Sequence, residues 1–219
     1  MPTILYEDPH LLLLEKPMGI SSQDSEGDCV PRRLTQRGYP VKTVHRLDKP
    51  TGGVMAYART DKSAAALSAL VGQHDRFQKE YLAVVQGCPE MAVGAYTDLL
   101  YHDVRRNKSY VVNRPRKGVK EAKLDYTVLE TITTDDGVFS LVCVRLLTGR
   151  THQIRVQFAS RKMPLYGDSR YGGVKGSTLG LWSHRLTLPH PVTGETLSAE
   201  SLPPMDSAPW CFFKKHKKA

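Results

Sequence analysis

Residues 45–53 read HRLDKPTGG, a single carboxylate, Asp48, set among His45, Arg46 and Lys49 and followed at once by a Pro-Thr-Gly-Gly turn. A neighbouring cation favours the ionised form of an aspartate. Such a group is either one half of a structural ion pair or a reactive carboxylate that attacks electrophilic carbon or removes a proton. Arg46 and Asp48 stand two residues apart, which places them on one face if the segment is extended. Two further stretches carry groups that suit an active site. KEYLAVVQG, 79–87, puts Tyr81 on a strand-like run, and LTGRTHQIRV, 147–156, puts Arg150 and Arg155 around a helix start, where anions bind readily. No second acid accompanies Asp48 in its motif, which argues against a two-carboxylate glycosidase.

Other chemistries find no support. YGGVKGS, 171–177, lacks the Gly-Lys-Ser/Thr order of a phosphate loop, and GDSRYG does not match the Gly-x-Ser-x-Gly of a nucleophile elbow. Histidines 45, 152, 184 and 190 are not at paired ligand spacing, and no dinucleotide fingerprint is present, so neither metal nor cofactor is expected. Cys29, Cys88, Cys143 and Cys211 are scattered without a CxxC pair, as free thiols in a reducing compartment would be. The apolar run 11–14 is far too short for a signal peptide or a bilayer span, and a soluble, cytoplasmic protein without membrane contact is expected.

Charge points to the partner. The chain of 219 residues carries a net charge of +9 and a sequence pI near 9.4. Seven Arg or Lys residues lie within 105–120, RRNKSYVVNRPRKGVK, with no acid among them and Tyr110 in the middle. Cations with an interleaved aromatic suit phosphate contact and base stacking. The tail, 214–219, is a second basic block. A nucleic acid is the partner this distribution favours, and a monomer is the expected state.

These groups need a scaffold. The length suits one large domain or two small ones. Strands are predicted at 3–6 and 11–15 around an Asp-Pro turn, at 53–58, at 81–85, at 122–133 and 138–147 around TDDG, and at 181–188 and 195–199 around HPVTG. Thr60 or Asp61 caps a helix running to Val71, and Thr151 is expected to cap a second with Ile154 and Phe158 on one face. Hairpins interrupted by two helices predict an α+β fold on a largely antiparallel sheet.

In this order, HRLDKPTGG, KEYLAVVQG and GRTHQIRV, with ILYEDPHLLLLEKPMG, PLYGDSRYG and HPVTGE around them, resemble the RluA-type RNA pseudouridine synthase family from about Ile4 to Pro203. The resemblance implies a single catalytic domain over 1–219, without the N-terminal S4-type module of many relatives. The implied fold is a largely antiparallel mixed β-sheet flanked by a few helices and loops, with a central RNA-binding cleft. It implies isomerisation of uridine in structured ribosomal or transfer RNA, with the N1–C1′ bond broken, the ribose rejoined at C5 and no cofactor. Asp48 would be the catalytic carboxylate. Arg46 would hold the RNA open where the target base leaves its stack, Tyr81 would face the extruded uracil, and Arg155 would pair with Asp48. Two departures stand out: Gly52 where the family has Ser, and Trp182-Ser183-His184 where it reads Leu-His-Ala. The competing reading is a catalytically idle RNA-binding protein on the same scaffold.

Overall fold

Turn chemistry decides how the first strands meet. The Asp8 carboxylate accepts the amides of His10 and Leu11, each at 2.7 Å, and so closes β1 (Thr3–Glu7) onto β2 (Leu11–Lys16). The computed structural model describes residues 2–174, 176 and 178–213; the basic tail at 214–219 lies outside the described residues. Within them the chain forms eleven strands and three α-helices in two compact units. No helix among the described residues is long and apolar enough to cross a membrane.

The first unit holds Met1–Glu80 and Trp182–Pro203. After β2 come α1 (Val30–Thr35), the short β3 (Lys42–Thr43), β4 (Gly52–Ala58) and α2 (Asp61–Val71). β2 and β3 both run antiparallel to β4, while β10 (Leu181–Pro189) runs parallel to it, through Trp182 beside Gly52 and Ser183 beside Gly53. β11 (Thr196–Glu200) folds back on β10 through the predicted HPVTG turn. α2 starts where expected, because Thr60 and Ser63 exchange side-chain and backbone hydrogen bonds in a capping box. Its Leu67 and Leu70 pack on Leu11, Val54, Phe77 and Leu186, a dry core beneath the strands.

The second unit begins at Tyr81, runs to Leu181 and resumes at Pro204. β5 (Gln78–Gln86), β9 (Gly137–Leu146), β8 (Val119–Thr134), β6 (Val93–Asp103) and β7 (Lys108–Val112) lie side by side in that order. The TDDG turn joins β8 to β9 as predicted, with Gly137 at φ 117, a conformation open mainly to glycine. α3 (Gln153–Ala159) completes the unit.

Three features depart from the expectations. Thr151 does not cap α3: His152 holds the cap position in a left-handed conformation, and the Gln153 side chain organises the turn by accepting from Thr148 Oγ1 at 2.7 Å and from the Arg150 amide at 3.0 Å. β6 and β7 were not predicted: the basic segment 105–120 contains β7, an edge strand that forms a hairpin with residues 99–103 of β6, while residues 93–101 of β6 pair with β8. β6 and β7 escape notice because they are half-exposed, with Tyr96, Leu100 and Ser109 their only buried residues. α1 is also new, a six-residue helix with Pro31 in its first turn.

The two departures from the resemblance meet each other. A Cβ on Gly52 would stand 2.3 Å from Trp182 Cζ3 and 2.9 Å from Met18 Cγ. The indole cannot easily retreat, since its Nε1 donates to the Ser201 carbonyl at 3.1 Å. Glycine at 52 is therefore the condition for tryptophan at 182. Gly52→Ser is expected to destabilise the chain by about 1–3 kcal/mol through overpacking. Adding Trp182→Leu should restore most of that loss in a denaturant titration, and additive losses would disprove the coupling.

Candidate active site

The HRLD segment is a loop between β3 and β4 rather than a strand, because its backbone groups are claimed by the segment 16–22 and not by a ladder. The Ser22 hydroxyl donates to the Leu47 carbonyl at 2.8 Å and accepts the Leu47 amide at 3.1 Å. Tyr57 fixes Ser22 in turn, its hydroxyl donating to the Ser22 carbonyl at 2.6 Å. On the other side of Asp48, the Lys49 carbonyl accepts from the Gly19 amide at 2.9 Å and from Lys16 Nζ at 3.3 Å. The Asp48 carbonyl itself receives the Thr51 amide at 2.9 Å, which closes the Lys-Pro turn. Asp48 is half-buried at the centre of this frame, and Arg46 is exposed.

Lys16 has no exposed surface and gives its ammonium to the carbonyls of Pro17, Ile20 and Lys49. Burial pulls its pKa down to about 8, with the Asp48 charge opposing that pull. His45, the first residue of the motif, accepts the Ala56 amide on Nε2 at 2.9 Å, which fills a gap in the β4 ladder. Burial drives its pKa to about 3, helped by the nearby Lys79 cation, so the ring is neutral at physiological pH with its proton on Nδ1.

In the second unit Tyr81 sits on β5 with 6% of its surface exposed. Arg155 sits on α3, also buried, and its guanidinium is gripped from one edge by Asp168: Nε to Oδ2 at 2.7 Å and Nη2 to Oδ1 at 2.8 Å. The Tyr171 ring lies 5.3 Å from the same guanidinium. Tyr171 is itself anchored, its hydroxyl accepting the Ser109 amide of β7 at 2.8 Å and meeting His152 Nδ1 at 3.0 Å. Ser109 Oγ donates to the Thr151 carbonyl at 2.6 Å. Arg170 Nη1 donates to the carbonyls of Arg106 and Asn107 at the tip of the β6–β7 hairpin. The turn 168–171 thus joins the arginine of α3 to the basic hairpin.

Sequence reasoning found the loop of Asp48, the strand of Tyr81 and the helix of Arg155, and passed over Lys16, Ser22, Asp168 and Tyr171. Asp168 and Tyr171 stand in the PLYGDSRYG block, but an acid thirteen positions after an arginine carries no periodicity that would pair them. Arg105, Arg106, Arg114, Arg116, Lys117 and Lys120 are exposed, while Lys108 is half-buried near the rings of Tyr110 and Tyr171.

The human RNA pseudouridylate synthase domain containing 1 superposes with a TM-score of 0.80 at 22% identity, covering 94% of this chain and 84% of its own. The human domain containing 4 gives 0.75 at 23% identity over 93% of this chain and 89% of its own. The fold is that of a pseudouridine synthase domain. A family model described as RNA pseudouridylate synthase matches residues 10–160. The ribosomal large subunit pseudouridine synthase D of Xanthomonas campestris is 34% identical over 93% of this chain, which spans 66% of that protein. The dual-specificity RNA pseudouridine synthase RluA of Salmonella typhi is 31% identical, over 89% of this chain and 90% of its own length. This chain belongs to the RNA pseudouridylate synthase family, whose named members are isomerases.

The Arg155–Asp168 pair has side chains 7% and 0% exposed, so the bidentate contact is shielded from water. Asp168→Ala is expected to lower stability by about 3–5 kcal/mol, the range for breaking a buried ion pair by removing one partner. A loss below about 1 kcal/mol, the range of surface pairs, would show that water reaches the guanidinium. The measurement is the midpoint of chemical denaturation.

Proposed function

We propose that this chain is an RNA pseudouridine synthase that isomerises uridine in structured ribosomal or transfer RNA, with Asp48 as its catalytic carboxylate. The observation that carries the reading is the family match across residues 10–160, which includes the loop that presents Asp48. The tight capture of Leu47 and Lys49 on either side supports it, since a reacting group gains rate from being fixed before substrate arrives.

In this mechanism the target uridine leaves its stack, at a cost of a few kcal/mol. Arg46, exposed beside Asp48, meets the RNA where the base departs. Tyr81 faces the extruded uracil, whose stacking on an aromatic ring contributes about 1–3 kcal/mol. Asp48 either attacks C1′ and displaces N1, or removes the C2′ proton as the N1–C1′ bond breaks. The uracil turns and C5 bonds to C1′, which releases the aspartate from C1′ in the first route and returns the proton to C2′ in the second, and the C5 proton leaves last. Arg155, oriented by Asp168 and Tyr171, serves as a substrate-binding cation. No cofactor takes part, and the enzyme works as a cytoplasmic monomer. The exposed arginines and lysines of 105–120 hold the phosphate backbone.

Two measurements test this reading. Asp48→Asn keeps shape and removes charge. It should bind RNA and fold normally, while tritium release from C5-labelled uridine RNA falls by at least about a thousandfold, the scale of an essential acid–base group. Near-normal release by that variant removes Asp48 from the chemistry. For the basic segment, the triple change Arg114→Ala, Arg116→Ala, Lys117→Ala should weaken RNA binding. It should also reduce the slope of log affinity against log salt by about 2 to 3, one counterion release per lost phosphate contact. An unchanged slope places the RNA elsewhere.

A further inference from the structure

Lys79 is a buried cation without a counter-ion. Only 6% of its surface is exposed, and among the described residues no carboxylate and no hydrogen-bond acceptor meets its ammonium, whose tip keeps contact with solvent. Its one close partner is the ring of Phe77, 5.0 Å from Nζ to centroid, and Phe77 belongs to the dry core. The adjacent acid, Glu80, is turned away and pairs with Arg185 at 3.2 Å. Desolvation pulls the lysine pKa down to about 8, so the ammonium still predominates at neutral pH. A lone ring compensates a buried ammonium only in part. An ammonium left this way is a standing cost to the fold.

Its position explains why that cost is tolerated. Lys79 and Tyr81 alternate on β5 and project from the same face of the strand. Lys79 also neighbours His45, three residues before Asp48, and that half-buried imidazole is held neutral, so it does not repel a second positive group. We propose that Lys79 is a further substrate-binding residue, whose ammonium takes an oxygen of the bound RNA, either a phosphate oxygen or a uracil carbonyl. The proposal rests on the reading of this chain as a pseudouridine synthase. The RNA oxygen supplies the missing acceptor, and the unpaired charge of the free protein is what makes the interaction strong once water is excluded.

The signs of two effects separate this role from a structural one. Lys79→Met removes the unpaired cation and keeps the aliphatic stem. The RNA-free protein should melt about 2–4 °C higher, the shift that one modest gain in stability produces in a chain of this size. Meanwhile kcat/KM for tritium release should fall about 10- to 100-fold, the loss of one charge-assisted hydrogen bond. Lys79→Gln, which keeps a donor at reduced reach, should fall between wild type and Met in activity and serves if Met folds poorly. A loss of binding with a salt slope shallower by about 0.7–0.9 identifies a phosphate oxygen, and a kcat loss at unchanged slope identifies a carbonyl; both support the proposal. A lower melting temperature in both variants, or unchanged kcat/KM, overturns it. With wild type active, Asp48→Asn dead and Lys79→Met fully active, only the lysine proposal fails. A wild-type protein that releases no tritium sinks the synthase reading and this inference with it.

Discussion

The hold that 16–22 keeps on the loop 46–51 is the constraint on which the first unit depends. A loop aspartate is only as well placed as the peptide groups on either side of it, and here both sides are taken. Ser22 claims the amide and the carbonyl of Leu47, and Lys16 and Gly19 share the carbonyl of Lys49. Neither hold is a strand ladder, so neither imposes the alternation that would turn successive side chains to opposite faces. The price of this freedom is a lysine with no exposed surface, satisfied by three carbonyls instead of a carboxylate. Carbonyl dipoles suit that role. They stabilise the ammonium without neutralising it, and the Asp48 charge continues to be felt there.

The second unit solves the same problem with different chemistry. Arg155 lies on a helix of seven residues, too short to direct its side chain by packing alone. Direction comes from outside, with Asp168 taking one edge of the guanidinium and the Tyr171 ring standing beside it. Because Tyr171 is also tied to Ser109 and His152, the edge strand β7 and the left-handed turn at the start of α3 form one hydrogen-bonded assembly. The backbone at His152 sits at φ 55, a conformation that a residue other than glycine keeps only where its surroundings insist.

How much of this could be read from the residues follows from the range of each interaction. The strand pairs at 3–15, 119–146 and 181–200 are closed by short turns whose chemistry is local, such as Asp8 on its own neighbours or Gly137 at positive φ, and these were legible. So was α2, whose cap lies three residues from its partner. β6 and β7 were not, because an edge ribbon that buries few side chains shows no apolar period. Thr151 failed as a cap because Gln153 reaches back in its place, a competition that composition does not reveal. For the site, the types of the residues were legible and their partners were not. Asp168, Ser22 and Lys16 reach Arg155, Leu47 and Lys49 across 13, 25 and 33 positions.

Among the described residues, three buried Lys and Arg cations mark the chain, and their partners rank them. Lys16 meets carbonyls, Arg155 meets a carboxylate, and Lys79 meets a ring. Carbonyls and a bidentate carboxylate answer the desolvation of a charge within the protein itself, so those two cations serve the frame. A ring answers it only in part. A fold under no demand beyond stability would replace such a lysine with methionine or leucine, which fill the same space without the desolvation penalty. It stands two residues before Tyr81, on the same face of the same strand, the face on which the proposed uracil contact lies. Of these three cations, Lys79 is the one for which the described residues supply neither carbonyl nor carboxylate.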